Sequence, residues 1–139
     1  IPGISSFSGI AARHKIPLTQ RGVAESFWVT TGTTSRGTVS KDILPAAKSS
    51  ATVIVFMGLG NIGEIVSIFK RYKPLNYPVA VISNGTLPNE KTLLSDLEQI
   101  ELQVNENEIE APAMLIFGPI VKSSIVQFKN QIHQLPAFI

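Results

Sequence analysis

Two apolar runs, each ending at a glycine turn, constrain the fold of this chain most strongly. Thr52-Val53-Ile54-Val55-Phe56-Met57 runs into Gly58, and Pro78-Val79-Ala80-Val81-Ile82-Ser83 runs into Asn84-Gly85-Thr86. Neither run alternates polar with apolar residues, so each reads as a strand buried on both faces, in a sheet covered by helices on two sides. Open α/β sheets bind ligands at strand ends of this kind, where a turn without a side chain lets a ligand lie against the backbone.

The intervening segments supply the helices. Ser5 and Ser6 are placed to cap a helix running through Ser8, Ile10, Ala11 and Ala12 to about His14, and Pro17 stops it. Residues 25–31, aromatic and β-branched, read as a strand, 32–37 as a loop and 41–48 as a short helix. A helix is expected from about residue 60 to 72, with Ile62, Ile65, Val66 and Phe69 on one face. Residues 91–100 stay open between helix and strand, because Leu93, Leu94, Leu97 and Ile100 also fit a helical period. Residues 105–110 read as a loop or a single helical turn, and 113–117 as a last buried strand. Ser123 and Ser124 are placed to cap a terminal helix carrying Ile125, Val126, Phe128 and Ile132. This alternation predicts an α/β fold, a mixed β-sheet with helices packed on it.

Composition narrows the function. At 139 residues the chain fits one domain, and 44% hydrophobic against 16% charged residues excludes a disordered one. No apolar run approaches the ~20 residues that cross a bilayer. No basic segment followed by a long apolar stretch opens the chain, so neither a membrane partner nor a secretory leader is expected. The absence of cysteine removes disulfides, thiolate catalysis and thiolate-held metals from these residues. The net charge is +2 and the basic residues are scattered; the tightest cluster, Lys70, Arg71 and Lys73, ends a predicted helix, where cations complement the helix dipole. A nucleic-acid face needs a longer basic stripe with interleaved aromatics, so no nucleic-acid partner is expected. His14 and His133 are far apart, and Asp42 and Asp96 stand in no motif. No catalytic residue and no metal site is assigned.

Gly58-Leu59-Gly60-Asn61-Ile62-Gly63 matches the dinucleotide-binding fingerprint, following a strand and opening a helix. That fingerprint also requires an acid at the end of the next strand to hold the ribose. Ser83 or Asn84 stands there instead, and the nearest downstream acid, Glu90, falls in a turn. The plainer reading is a tight turn in which Gly58 is required and the other glycines are incidental. A dinucleotide-binding, Rossmann-type domain stays as the alternative.

Five segments then occur in a telling order: Pro2-Gly3-Ile4-Ser5-Ser6, Ile16-Pro17-Leu18-Thr19-Gln20-Arg21-Gly22, Met57-Gly58, Asn84-Gly85-Thr86, and Ala111-Pro112-Ala113-Met114-Leu115-Ile116-Phe117-Gly118. In this order and spacing they resemble the C-terminal half of the tetrapyrrole (corrin/porphyrin) methylases, nearest to the members that C-methylate uroporphyrinogen III. The resemblance covers residues 1–121 as the C-terminal domain of the tetrapyrrole methylase fold and leaves 122–139 as a helix and tail. It also favours a strand around Leu93 to Ser95. It implies S-adenosyl-L-methionine as cofactor and S-adenosyl-L-homocysteine as product, bordered by Ser5, Ser6, Met57, Ala80, Gly85, Thr86 and Ala113. Five of these have a plainer role beside the implied one: helix caps for the serines, core filler for Met57, packing for the alanines.

On the substrate side the resemblance implies Thr19 and Arg21, the guanidinium suiting the carboxylates of a tetrapyrrole. The plainer role of Arg21 is a surface pair with Glu25. Two positions depart from the family pattern, Gln20 and Thr33, each standing where the family carries histidine. The implied reaction is transfer of a sulfonium methyl to pyrrole carbons, twice, giving precorrin-2 on the way to siroheme and cobalamin. It needs in-line alignment in a closed cleft and no metal. A cytoplasmic homodimer is implied as well. The family's N-terminal Gly-Pro-Gly-Asp loop and Gly-Gly-Asp segment, which complete the site, do not occur here, and Ile1 opens on a motif that lies mid-chain in the family. The chain is therefore expected to be a fragment of a longer enzyme, inactive alone. A sister methylase acting on another tetrapyrrole is the nearest rival reading.

Overall fold

The two apolar runs form strands of one sheet that do not pair with each other, because a third strand lies between them. In the computed structural model, which describes residues 1–123, the elements are α1 (Ser6–Arg13), β1 (Phe27–Thr31), α2 (Ile43–Lys48), β2 (Thr52–Phe56), α3 (Ile62–Lys70), β3 (Pro78–Ser83), β4 (Lys91–Asp96), α4 (Ile100–Glu106) and β5 (Ala113–Phe117). The strands hydrogen-bond in the order β1-β2-β5-β3-β4. β1 and β2 are parallel, while β5 runs antiparallel between β2 and β3, and β4 runs antiparallel on the outer side of β3. The sheet is mixed, as expected.

Alternation along the central strands divides the core into two layers. Val53 and Val55, Val79 and Val81, and Leu115 and Phe117 point to one face, where α2, α3 and α4 cover them. The expected helical stripe of Ile62, Ile65, Val66 and Phe69 is buried there, and the Phe69 ring stacks on Phe117 at 4.1 Å between centroids. Ile54, Ala80, Ile82, Met114 and Ile116 point to the other face, against Ile10 and Ala11 of α1, Ile16, Ile120 and Val121. The edge strands β1 and β4 are only partly covered, which accounts for their mixed composition.

The ambiguous stretch 91–100 is both strand and helix start. Leu93 of β4 pairs with Val81, whereas Leu97 and Ile100 follow the strand and reach the helix-covered core. Asp96 makes the switch: its Oδ1 accepts the backbone N–H groups of Glu98 at 3.0 Å and Gln99 at 3.1 Å, a turn that launches α4.

Other boundaries differ locally. The helix expected from residue 60 begins instead with a 3-10 turn over Leu59–Asn61. Ser5 occupies the cap position of α1, but its hydroxyl caps nothing; its carbonyl accepts from Ser8 Oγ at 3.0 Å. The chain is already helical over residues 120–123, ahead of the expected Ser123–Ser124 cap, and the rest of the expected terminal helix, with Ile125, Val126, Phe128 and Ile132, lies outside the described residues. Among the described residues no helix is long and apolar enough to cross a membrane, and no cluster of ligating side chains could hold a metal.

Candidate functional site

Because β5 runs against both its neighbours, its first residues lie at the same sheet edge as the last residues of β2 and β3. Phe56 pairs with Met114 and Ser83 with Ala113. The turns leaving β2 and β3 therefore flank the start of β5, and α1 lies across this edge on one face. A hollow of about 170 Å³ sits between them, lined by Ser6, Ile10, Phe56, Gly85, Pro112 and Ala113 among others. Larger grooves flank it. One, about 630 Å³, runs past Ile4, Ser5, Arg13 and Thr86; the other, about 660 Å³, runs past Thr33, Thr34, Met57, Leu59 and Ala113.

All but one of the expected cofactor residues thus line three adjoining hollows that make a cleft along this edge: Ser5, Ser6, Met57, Gly85, Thr86 and Ala113. Ala80 does not. It is fully buried between Leu94 and Ile116 in the layer beneath α1, where its small size serves packing. Thr19 and Arg21 are exposed on the loop before β1 and line none of the three hollows. No ion pair joins Arg21 to Glu25.

Several plainer roles do not hold. Met57 is not core filler: β2 ends one residue earlier, and Met57 stands 66% exposed with φ +51. A non-glycine residue in the left-handed region at a cleft is a costly conformation that the surrounding structure has to sustain. The turn after β3 repeats it, with Asn84 at φ +50 and Thr86 at φ +73 on either side of Gly85.

The dinucleotide alternative does not fit the geometry. α3 starts after the 3-10 turn, and at its N-terminus the space beside Gly63 is taken by the Glu101 carboxylate, 2.7 Å from where a β-carbon would sit. A carboxylate there opposes a pyrophosphate. Gly58 is the glycine the fold requires: a β-carbon on it would lie 2.7 Å from Leu115 Cδ1, whereas one on Gly60 would meet nothing.

Sequence reasoning missed the polar fastening of the cleft. Glu90 Oε2 accepts the backbone N–H of Thr86. The same carboxylate faces the end of α1, with Oε1 2.9 Å from His14 Nε2 and Oε2 3.4 Å from Arg13 Nε. His14 Nε2 approaches the carboxylate without a hydrogen bond to it. Burial pushes the Glu90 pKa up, but the Thr86 N–H, His14 and Arg13 together outweigh it and hold the carboxyl below its ordinary value. No local pattern joins residues 14 and 90, so the sequence carried no signal of this pairing. Asn61 is a second fastening: its Nδ2 donates to Thr33 Oγ1 at 2.9 Å and to the Gly37 carbonyl at 3.2 Å, holding the loop that walls the cleft beside Met57. The other shifted groups, Lys73 lowered and Tyr77 raised by burial, lie at the opposite end of β3.

The tetrapyrrole (corrin/porphyrin) methylase family model matches residues 1–101. Siroheme synthase of Nitrosomonas eutropha is 34% identical over 123 residues, which cover 88% of this chain and 26% of that protein. The chloroplastic S-adenosyl-L-methionine-dependent uroporphyrinogen III methyltransferase of Arabidopsis thaliana is 33% identical, over 89% of this chain and 34% of that protein. Among solved structures, Thermus thermophilus uroporphyrin-III C-methyl transferase complexed with S-adenyl homocysteine superposes with a TM-score of 0.69 at 28% identity, over 88% of this chain and 53% of that one. The chain spans a quarter to a third of the length of these curated relatives and about half of the solved structure. With the five motifs, the mixed sheet and the family match in agreement, the chain belongs to the tetrapyrrole (corrin/porphyrin) methylases.

Proposed function

We propose that this chain forms the cofactor-lining half of an S-adenosyl-L-methionine-dependent methyltransferase that C-methylates uroporphyrinogen III. Residues 1–121 make its C-terminal domain, with 122–139 appended. One observation carries the reading: the ends of β2, β3 and β5 converge with α1 on a single cleft lined by Ser5, Ser6, Met57, Gly85, Thr86 and Ala113. The names of the relatives supply the cofactor and the substrate class.

The residues present suit such a cofactor. Gly85 leaves a cradle that a β-carbon would fill against Ile10. Ile10, Phe56 and Pro112 offer apolar walls, and the Ser5 hydroxyl makes no capping hydrogen bond to α1. The cofactor when bound supplies an electrophilic methyl group. The protein's part is to hold it in line with a pyrrole carbon, exclude water and keep the carboxylate-rich macrocycle oriented. Thr33, whose hydroxyl oxygen accepts from Asn61, keeps its own proton to donate to a ligand in the cleft, where the family carries histidine. Arg21, exposed on its loop, contacts the substrate carboxylates once a further domain of the whole protein covers that loop.

Exposed Phe27 and Val29 on the edge strand β1 suit a second copy, and a cytoplasmic homodimer completes the reading. Calorimetry of S-adenosylhomocysteine against the full-length protein, beside Met57→Ala and Gly85→Ala and with NAD as control, tests it. Binding of S-adenosylhomocysteine that both substitutions weaken is expected. No binding to the intact protein, or preference for NAD, overturns the proposal.

A further inference from the structure

The cleft has two walls that are more than 70 residues apart in sequence, α1 on one side and the Asn84–Glu90 turn on the other. Two fastenings join them among the described residues. One is steric, Gly85 against Ile10. The other is polar, and it runs through one carboxylate: Glu90 Oε2 takes the Thr86 N–H while Oε1 and Oε2 face His14 and Arg13 at the end of α1.

We infer that Glu90 is a positioning residue for cofactor binding, holding the Gly85–Thr86 turn in its binding conformation and fixing its distance from α1. The inference rests on the cofactor reading above and extends it to a residue outside the cleft lining. Thr86 is left-handed at φ +73, a conformation that costs a residue with a β-carbon, and Asn84 at φ +50 shares the burden. The turn is short: Leu87 N donates to the Asn84 carbonyl at 3.0 Å and Glu90 N to the Leu87 carbonyl at 3.1 Å. These bonds hold its later half and leave the Thr86 N–H to Glu90 alone. A charged acceptor for a backbone N–H is stronger than a neutral one.

The Glu90 side chain is only 13% exposed and that of His14 20%, so neither is freely solvated. Arg13 is the outer member at 57% exposed, screened by water and the weaker partner. The adjacent Lys91 is turned away, its Nζ donating to the carbonyls of Asn107 at 3.1 Å and Glu108 at 3.3 Å. No competing cation from β4 therefore replaces the α1 contact. Removing the carboxylate releases the turn and uncouples it from α1, so a ligand lying across both walls has to order them on binding.

The test uses the full-length protein with S-adenosylhomocysteine as the probe, calorimetry as the readout and thermal melting as the check on folding. Glu90→Ala is expected to weaken binding tenfold or more, estimated as the loss of about one charge-assisted hydrogen bond. Glu90→Gln, which keeps an acceptor for the Thr86 N–H, restores most of that loss. In turnover assays Glu90→Ala raises the KM for S-adenosylmethionine by a larger factor than it lowers kcat, the signature of lost ground-state binding. If Glu90→Ala does not fold, His14→Phe decides: it keeps the bulk, removes the α1 partner and is expected to weaken binding severalfold. Variants that bind as tightly as wild type overturn the positioning role while leaving the cofactor reading intact. A wild-type protein that does not bind S-adenosylhomocysteine overturns both.

Discussion

A β-carbon placed on Gly85 would lie 2.5 Å from Ile10 Cδ1 and 2.8 Å from its Cγ1. The backbone φ of Gly85 is not in the left-handed region, so space, not conformation, demands glycine here. Ile10 is 9% exposed, so its side chain has to shift toward the hollow it lines to make way. Gly85→Ala should therefore cost about 1–3 kcal/mol of stability, the usual range for overpacking. Ile10→Val in the same background should recover part of it, and a double-mutant cycle by urea unfolding reads the coupling. Simple additivity of the two changes would contradict the contact.

Two glycines of the same motif should respond in opposite directions. A β-carbon on Gly58 would collide with Leu115 Cδ1 at 2.7 Å and Val55 Cγ1 at 2.9 Å, whereas Gly60 faces open space. Gly58→Ala is expected to destabilise by about 1–3 kcal/mol. Gly60→Ala should be neutral or stabilise by up to about 1 kcal/mol through the unfolded chain. Thermal melts of the two variants decide, and the reverse order would refute the turn geometry.

Thr52 opens the central strand β2 fully buried, and its Oγ1 has no hydrogen-bond partner among the described residues. An unpaired buried hydroxyl is a standing cost, and valine has the same shape without it. Thr52→Val is expected to raise stability by about 1 kcal/mol, seen as a higher denaturation midpoint at unchanged m-value.

The Glu90 carboxyl titrates lower in the folded protein than its ordinary value of 4.5. A depressed carboxylate contributes stability that is fully present above the unfolded pKa and is lost as pH falls through the folded one. The stability difference between wild type and Glu90→Gln should thus be constant from neutral pH down to about 5 and shrink on further acidification. Melting curves across that range check it; a difference that grows in acid would contradict a carboxyl held low by the Thr86 N–H and its cationic neighbours.

Much of the fold was legible because burial leaves a local trace. The unbroken apolar runs of β2 and β3 announced strands covered on both faces, and the stripe Ile62, Ile65, Val66 and Phe69 announced the covered side of α3. Residues 91–100 were ambiguous because Leu93, Leu97 and Ile100 all reach the same core from a strand, a turn and a helix, so their spacing mimics one helical face. Met57 illustrates the opposite limit. An apolar residue at the end of a buried run reads as core, yet the chain turns left-handed there and leaves it 66% exposed.

The sequence by itself determined the elements, the two buried faces and the five motifs of the methylase family, since each depends on neighbours within a few residues along the chain. Tertiary structure decided what those elements enclose. Inserting β5 antiparallel between β2 and β3 brings Met57, Gly85 and Ala113 to one sheet edge, and closing α1 over that edge brings His14 to Glu90. Strand order and helix docking are chosen by the packing of surfaces far apart in sequence, and a carboxylate acquires its partners only when those surfaces meet.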